Sequence, residues 1–487
     1  MILQRLDSER CLLPTATGAP ALLFANADVA IDRASIEDVW KLSQTADSID
    51  FLRHAGILPP DAALSRMVFT PDFHKASAAP VGSVIETTAC ILPQAPGNDI
   101  GCGMALATFN IGAEEIAALD SRLDNALRHA FFAGGRHIEL DAENRLGIMR
   151  NGLQGLQTAL PFGLLGDHRT NALAWASRAH NHGKIGDGDG IDVLAEWIRP
   201  GRRAGQTRDS FLGTIGGGNH FVELQAVETI FDRELCWRWK LKPGQLAVMA
   251  HSGSLSLGRA VALKHIERAK ALWPKGAKHP VNGIYILPFD GHDSLGAAYL
   301  ADMQAAVHIA MANRTCMILM VASVLSSLTG RQVIPSLVHD LPHNAAWIEN
   351  GKVVHRKGAC PAPRNFEDET FYDGAPVIVP GSMGTCSYLL AGLGSKESLA
   401  SAPHGAGRAI TRNAGRATQN ASNETIRVVG KIDTKYVRSD IAKAAAASLN
   451  EEADGVYKDI EPIISTITAA GIASPVARLK PILTIKG

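Results

Sequence analysis

Residues 294–330, "SLGAAYLADMQAAVHIAMANRTCMILMVASVLSSLTG", carry no proline and no glycine between Gly296 and Gly330. An alanine-rich stretch of that length reads as one long helix, and a helix apolar on most of its faces must be buried. Its longest apolar run, "CMILMVASVL" from Cys316, falls short of the ~20 residues that span a bilayer, and Arg314 stands just before it. The chain is therefore expected to wrap this helix in a core and to have no membrane partner. At 487 residues it exceeds the ~100–200 of a usual domain, so a core of that size can form.

The rest of the chain alternates in character. "SIEDVWKLSQTA" sets Ser35 three residues before Asp38, a capping-box pattern ahead of Val39 and Leu42, and predicts an N-terminal helix. From Met67 to Ile111 short β-rich runs are separated by Pro, Gly and Asn, which reads as strands with chemistry in their connections. Helices are expected at 114–132, 168–183, 437–449 and 455–469, strands at "VVH" and "PVIVP", and a plain turn at the "GDGDG" of 186–190. No repeat and no low-complexity linker is evident. The expected fold class is α/β, in the mixed α+β sense: a single large body with helical insertions.

Asp7 and Glu9 interrupt the N-terminus before a secretory signal could develop, so a cytoplasmic location is expected. The seven cysteines are scattered without a Cys-x-x-Cys pair, which excludes a zinc ribbon and points to no disulfide framework. Basic and acidic side chains balance at 48 each, so any nucleic-acid contact must come from local patches. Two such patches are "RPGRRAG" at 199–205 and the stretch from Arg259 to Lys278, each equally readable as a solvated face.

Five turn-rich segments hold metal-capable side chains: "PGNDIGCGM" (Asp99, Cys102), "GTIGGGNHFVE" (Asn219, His220, Glu223), "AHSGSLSLGR" (His251), "HDLPHNAAW" (His339, His343) and "SAPHGAGR" (His404). A carboxylate, a thiolate and several imidazoles suit a divalent transition metal such as zinc or cobalt. In "GNDIGCG" the flanking glycines let the backbone turn tightly enough to aim Asp99 and Cys102 at one point. Singly, each histidine reads as a satisfied core imidazole and Cys102 as a small buried hydrophobe. On its glycine-rich turn, His404 can be a ligand, a nucleophile or a structural group.

Taken jointly, "PDFH", "GNDIGCG", "GGGNHF", "HSGS", "HNAAW", "HRKGA", "PGSMGT", "HGAGR" and the terminal "IKG" resemble, in order over residues 70–487, the RtcB family of RNA ligases. The resemblance implies a catalytic body at 61–487 with a helical insertion around 160–210, and a helical and strand extension at 1–60 that matches less well. It implies that RNA ends bearing a 3′-phosphate or 2′,3′-cyclic phosphate are joined to 5′-hydroxyl ends with GTP and two manganese ions. Asp99, Cys102, His220, His251 and His343 would be the metal ligands, with Cys102 shared, and His404 the nucleophile that carries guanylate. Asn219, Glu223, Pro380, Gly381, Ser382, Met383, Ser387, Gly405, Gly407 and Lys486 would bind the nucleotide, Lys486 reading the guanine. RNA repair or tRNA splicing would be the setting, and an archease-like activator a candidate partner.

Three places depart from the family's pattern. "PDFHKASAAPVG" lacks glycines after the histidine, "GCGMA" lacks an arginine two residues beyond Cys-Gly, and Leu255 stands where an arginine is typical. These neighbours are expected near the polynucleotide, so two alternatives stand beside ligation. One is a guanylyltransferase that caps 3′-phosphate ends without efficient sealing; the other is a metal-binding partner protein without catalysis.

Overall fold

The computed structural model describes residues 3–135, 138, 140–159, 212–366, 371–410, 427–431 and 455–487. The expected helices at 168–183 and 437–449, the turn at 186–190, the basic patch at 199–205 and most of the insertion around 160–210 lie outside them.

The described helices are α1 (Arg33–Ser43), α2 (Thr45–His54), α3 (Ala113–Ala117), α4 (Asp120–Phe132), α5 (Ala142–Asn151), α6 (Leu153–Ala159), α7 (Arg233–Arg238), α8 (Ser256–Ala271), α9 (Leu295–Thr329) and α10 (Ile460–Ala469). Helix α9 is the expected long one. The Ser294 hydroxyl caps its start by accepting from the Ala297 amide at 3.2 Å, and Gly330, at φ 66°, ends it. By length and composition α9 could cross a membrane, but 83% of its most apolar window is buried inside the protein. It is a core helix: Tyr299, Met303, Ile309 and Leu319 pack with Phe109, Leu224 and Val248 in one apolar cluster.

Two sheets flank this core. One has the order β1-β2-β3-β4-β5-β13-β12, with β1 (Gln4–Arg5), β2 (Arg10–Leu12), β3 (Ala21–Phe24), β4 (Ala63–His74), β5 (Val81–Thr88), β12 (Asn344–Glu349) and β13 (Lys352–Lys357). The other runs β11-β7-β9-β8-β19-β16-β15, with β18 also on β19; these are β7 (Gly103–Gly112), β8 (Phe221–Ile230), β9 (Gln245–Ser252), β11 (Pro335–Pro342), β15 (Pro376–Val379), β16 (Ser387–Gly392), β18 (Arg427–Gly430) and β19 (Ala473–Lys486). Pairing is antiparallel except for β3 with β4 and β18 with β19. Two short ribbons complete the fold, β6 (Cys90–Ile91) with β10 (Leu287–Pro288) and β14 (Ala359–Pro361) with β17 (Ser401–Pro403). The mixed helix and strand content in a body with large sheets is the fold class expected from the sequence.

Local readings shift in three places. The cap of α1 is Asp32, whose carboxylate accepts from the Ala34 amide at 3.1 Å, and Ser35 lies inside the first turn, fully buried. The 114–132 stretch splits into α3 and α4 where Asp120 adopts φ 43°. The last helix begins at Ile460, capped by Asp459, because residues 456–458 hydrogen-bond to residues 407–410 instead.

Sheet register gathers the candidate residues at one end of the second sheet. Gly103 pairs with both Ser252 and Pro342, and Phe221 pairs with both His251 and Lys486. Cys102, His220, His251, His343 and Lys486 are each at or next to one of these positions. That assembly draws on residues far apart in sequence and follows the strand pairing.

Candidate active site

The cluster is built on the turn before β7. Gly101, at φ 80°, passes so close to α9 that an added Cβ would sit 3.1 Å from Ala310 Cβ. At Gly103 an added Cβ would lie 2.5 Å from the Leu341 carbonyl, so both flanking glycines are sterically required. Cys102 Sγ lies 3.3 Å from His220 Nε2 and 3.3 Å from His251 Nε2. The Nδ1 atoms of both rings point to carbonyls, His220 to Ile215 at 3.0 Å and His251 to Asn219 at 3.1 Å. A carbonyl can only accept, so each Nδ1 carries the proton and each Nε2 presents a lone pair to the thiol.

Asp99 Oδ2 lies 3.0 Å from His220 Nε2. Donor atoms of Asp99, Cys102 and His220, and likewise of Cys102, His251 and His343, lie within 4.8 Å of one another, so Cys102 belongs to both groups. Burial holds the His251 and His343 imidazoles well below their ordinary range, hence neutral, and pushes the Cys102 thiol well above its own, with Asp99 adding to the effect. Lone pairs outnumber protons at this convergence. That is the chemistry of a cation site, and these residues fit a divalent metal.

Behind the cluster lies a group that the sequence reading passed over. Arg314 of α9 is fully buried, pairs with Asp340 of β11 at 2.6 Å, and donates to the carbonyls of Gly101 and Ser252 at 2.9 and 2.7 Å. One guanidinium thus ties together the backbones that carry Cys102 and His251. Arg314→Met leaves Asp340 buried without its partner, and is expected to cost about 3–5 kcal/mol in denaturant unfolding.

His404 follows β17. Its Nδ1–H donates to Asp72 Oδ2 at 2.7 Å, and Asp72, fully buried in β4, also accepts from the Thr70 hydroxyl at 2.5 Å. Nε2 is left as the free lone pair, the arrangement that orients a nucleophilic or basic imidazole. The His404 ring sits 4.5 Å from that of His343, centroid to centroid. Two glycines make the approach possible: a Cβ on Gly358 would meet His404 at 3.1 Å, and one on Gly407 would meet the Asp72 carbonyl at 2.4 Å.

His404 and the five candidate ligands line one cavity of about 430 Å³. Asn219, Glu223, Pro380, Gly381, Ser382, Met383, Gly405, Gly407 and Lys486 line it together with His404 and the five candidate ligands. Ser387 does not; it stands behind the wall, where its hydroxyl accepts from Gln225 Nε2 at 3.0 Å and from the Gly381 amide at 3.3 Å, bracing the 380–386 loop. His339 is buried on β11 and does not line the cavity. Lys486 is not a loose end: it closes β19 and donates to the carbonyls of Gly218 and, at 2.9 Å, His220. Burial raises the Glu223 carboxyl to about 7 despite hydrogen bonds from Thr484 and Gln225.

His74, Asn344, Lys357, Arg408 and Tyr457 also line the cavity and were assigned no role from sequence. His74 and Lys357 fall within "PDFH" and "HRKGA", so the motifs marked the places but not the parts played. Lys357 is brought down to about 8 by burial. The described cysteines are all free thiols.

A family profile described as tRNA-splicing ligase RtcB matches residues 58–487. An RNA-splicing ligase RtcB homolog from Entamoeba dispar is 32% identical, covering 96% of this chain and 87% of its own length. A tRNA-splicing ligase RtcB from Thermococcus kodakarensis is 31% identical over 86% of this chain and 87% of its own. An RNA-splicing ligase RtcB from Mycobacterium tuberculosis is also 31% identical, over 86% and 96% respectively.

Proposed function

Since the chain belongs to the RtcB family, we propose that it is a GTP-dependent RNA ligase joining 3′-phosphate or 2′,3′-cyclic phosphate ends to 5′-hydroxyl ends. The observation that carries this reading is the pairing of His404 with Asp72 in the same cavity as the ligand cluster centred on Cys102. His404 Nε2 attacks the α-phosphorus of GTP; the N–P bond forms, the bond to the bridging oxygen breaks, and pyrophosphate leaves. A 2′,3′-cyclic end is first opened by water to a 2′-hydroxyl and a 3′-phosphate; the guanylate passes to that 3′-phosphate, freeing His404, and the 5′-hydroxyl then displaces GMP. Asp99, Cys102, His220, His251 and His343 would hold the two manganese ions, with Cys102 common to both groups of donors, and bound metal would supply Lewis-acid neutralisation of phosphate charge. We propose the cytoplasm as its compartment and an archease-like protein as a candidate activator.

A radiolabelled RNA with 5′-hydroxyl and 3′-phosphate ends, incubated with GTP and Mn²⁺ and resolved on a denaturing gel, tests the reading. Joined product supports ligation. A capped end without joining supports the guanylyltransferase alternative, and an unchanged substrate removes both.

Base choice is assigned to Lys486. Guanine offers O6 where adenine carries an amino group, and a lysine ammonium discriminates between them by about 1–3 kcal/mol. Lys486→Ala is expected to erode the preference for GTP over ATP roughly ten- to hundredfold in covalent labelling while leaving manganese content unchanged. Equal selectivity in the two proteins would remove Lys486 from base reading.

A further inference from the structure

The ladder between β4 and β5 breaks between Phe69 and His74, so the segment that presents Asp72 has no regular strand partner across from it. Backbone carbonyls in such a break need other donors. The carbonyls of Pro71 and Phe73 receive theirs from a single side chain, Lys458, whose Nζ donates at 3.3 and 2.7 Å. The Asp72 carbonyl between them faces the other way and pairs with His74 Nδ1 at 2.7 Å.

The main chain of Lys458 is fixed independently. Its amide donates to the Gly407 carbonyl at 2.9 Å, and the amides of Ala409 and Ile410 reach the Val456 carbonyl at 2.9 and 3.3 Å. The next residue, Asp459, caps α10 by accepting from the Glu461 amide at 3.0 Å, and Ile460, Ile463 and Ile464 anchor that helix in the core. Lys458 therefore holds the His404 loop with its backbone and the Asp72 segment with its side chain.

Resting on the guanylate reading of His404, we propose that Lys458 is a positioning residue for the nucleophile, clasping the backbone around Asp72 against the loop that carries His404. A charged donor suits this place better than a neutral one. It satisfies two carbonyls at once and places positive charge beside the Asp72 carboxylate that orients His404. Burial lowers the ammonium to about 8, with Asp72 and Asp32 pulling in the other direction.

The test compares wild type with Lys458→Met, Lys458→Gln and Lys458→Arg, full length and loaded with Mn²⁺. In single-turnover labelling with α-labelled GTP, Lys458→Met should lose about a hundredfold in rate, the effect of displacing a reacting group by roughly 1 Å. The GTP concentration at half-maximal rate should stay within about threefold, because Lys458 does not line the nucleotide cavity. Lys458→Arg, which restores the charge and donors, should regain most of the rate. Lys458→Gln, which keeps one donor, decides the question if the methionine variant does not fold.

A second readout needs no activity and is taken on metal-free protein, because paramagnetic Mn²⁺ would broaden it away: the far-downfield proton resonance of His404 Nδ1–H, identified by its loss in His404→Ala. It should broaden or vanish in Lys458→Met and Lys458→Gln and return in Lys458→Arg. Wild-type labelling rate and an intact resonance in the neutral variants would overturn the proposal. If the wild-type protein itself takes no guanylate, the functional reading falls, and the resonance alone then decides whether Lys458 positions the pair.

Discussion

His404→Ala is expected to take up no guanylate from GTP and Mn²⁺, whereas the wild-type protein should carry an acid-labile label on that side chain. The variant removes the only cavity imidazole whose Nδ1 is held by a carboxylate among the described residues, and with it the attacking Nε2. Asp72→Asn gives a sharper version of the same result. An amide there can present its NH₂ to the ring, turning the imidazole to the tautomer whose Nε2 carries a proton and cannot attack. Substitutions of that kind cost about 10⁴-fold where a carboxylate orients a catalytic histidine. Both variants should keep their manganese, since neither residue belongs to the ligand cluster. Labelling of His404→Ala at the wild-type rate, or preferential labelling by ATP, would place the chemistry elsewhere.

The candidate ligands were marked in the sequence by the resemblance of their motifs taken together, not by any one residue, and the structure brings their donor atoms close to one another. The spacing of Gly101 and Gly103 around Cys102 is visible without a structure, although the close approach of Ala310 and Leu341 that requires them is not. The partners that make those residues work were not legible. Asp72 lies 332 positions from His404, and the "PDFH" run gives no hint of which imidazole it faces. Arg314 reads as an ordinary charge at the edge of an apolar helix until β11 brings Asp340 to it. Lys458 falls in a stretch read as helix, whereas its backbone bonds to the His404 loop delay the helix to Ile460.

The long helix shows the same division. Its existence and its burial follow from the absence of breakers between Gly296 and Gly330 and from its apolar composition. That its buried arginine and Asn313 would brace the cluster from behind does not follow, because those contacts are set by strand register. Asn313 Nδ2 reaches the Thr214 carbonyl and the Ser252 hydroxyl, both at 3.0 Å, beside the segments that carry His220 and His251.

Cys102→Ala is expected to lose both manganese ions at once. Sγ is the one donor common to the two groups, Asp99 with His220 and His251 with His343, so its removal leaves each group with only two of its three donors. Loss of a single ligand that served one ion would halve the metal content; loss of a shared one should bring it close to zero, as elemental analysis of the purified variant against wild type would show. The fold should survive, because alanine occupies the same tight turn and Arg314 still ties Gly101 to Ser252. Cys360→Ala supplies the control: that thiol is equally buried but donates toward the Ala402 carbonyl at 3.6 Å, apart from the cluster, and its removal should leave both ions in place. Undiminished manganese in Cys102→Ala would make Cys102 a packing residue, and a half-loaded variant would assign it to one ion alone.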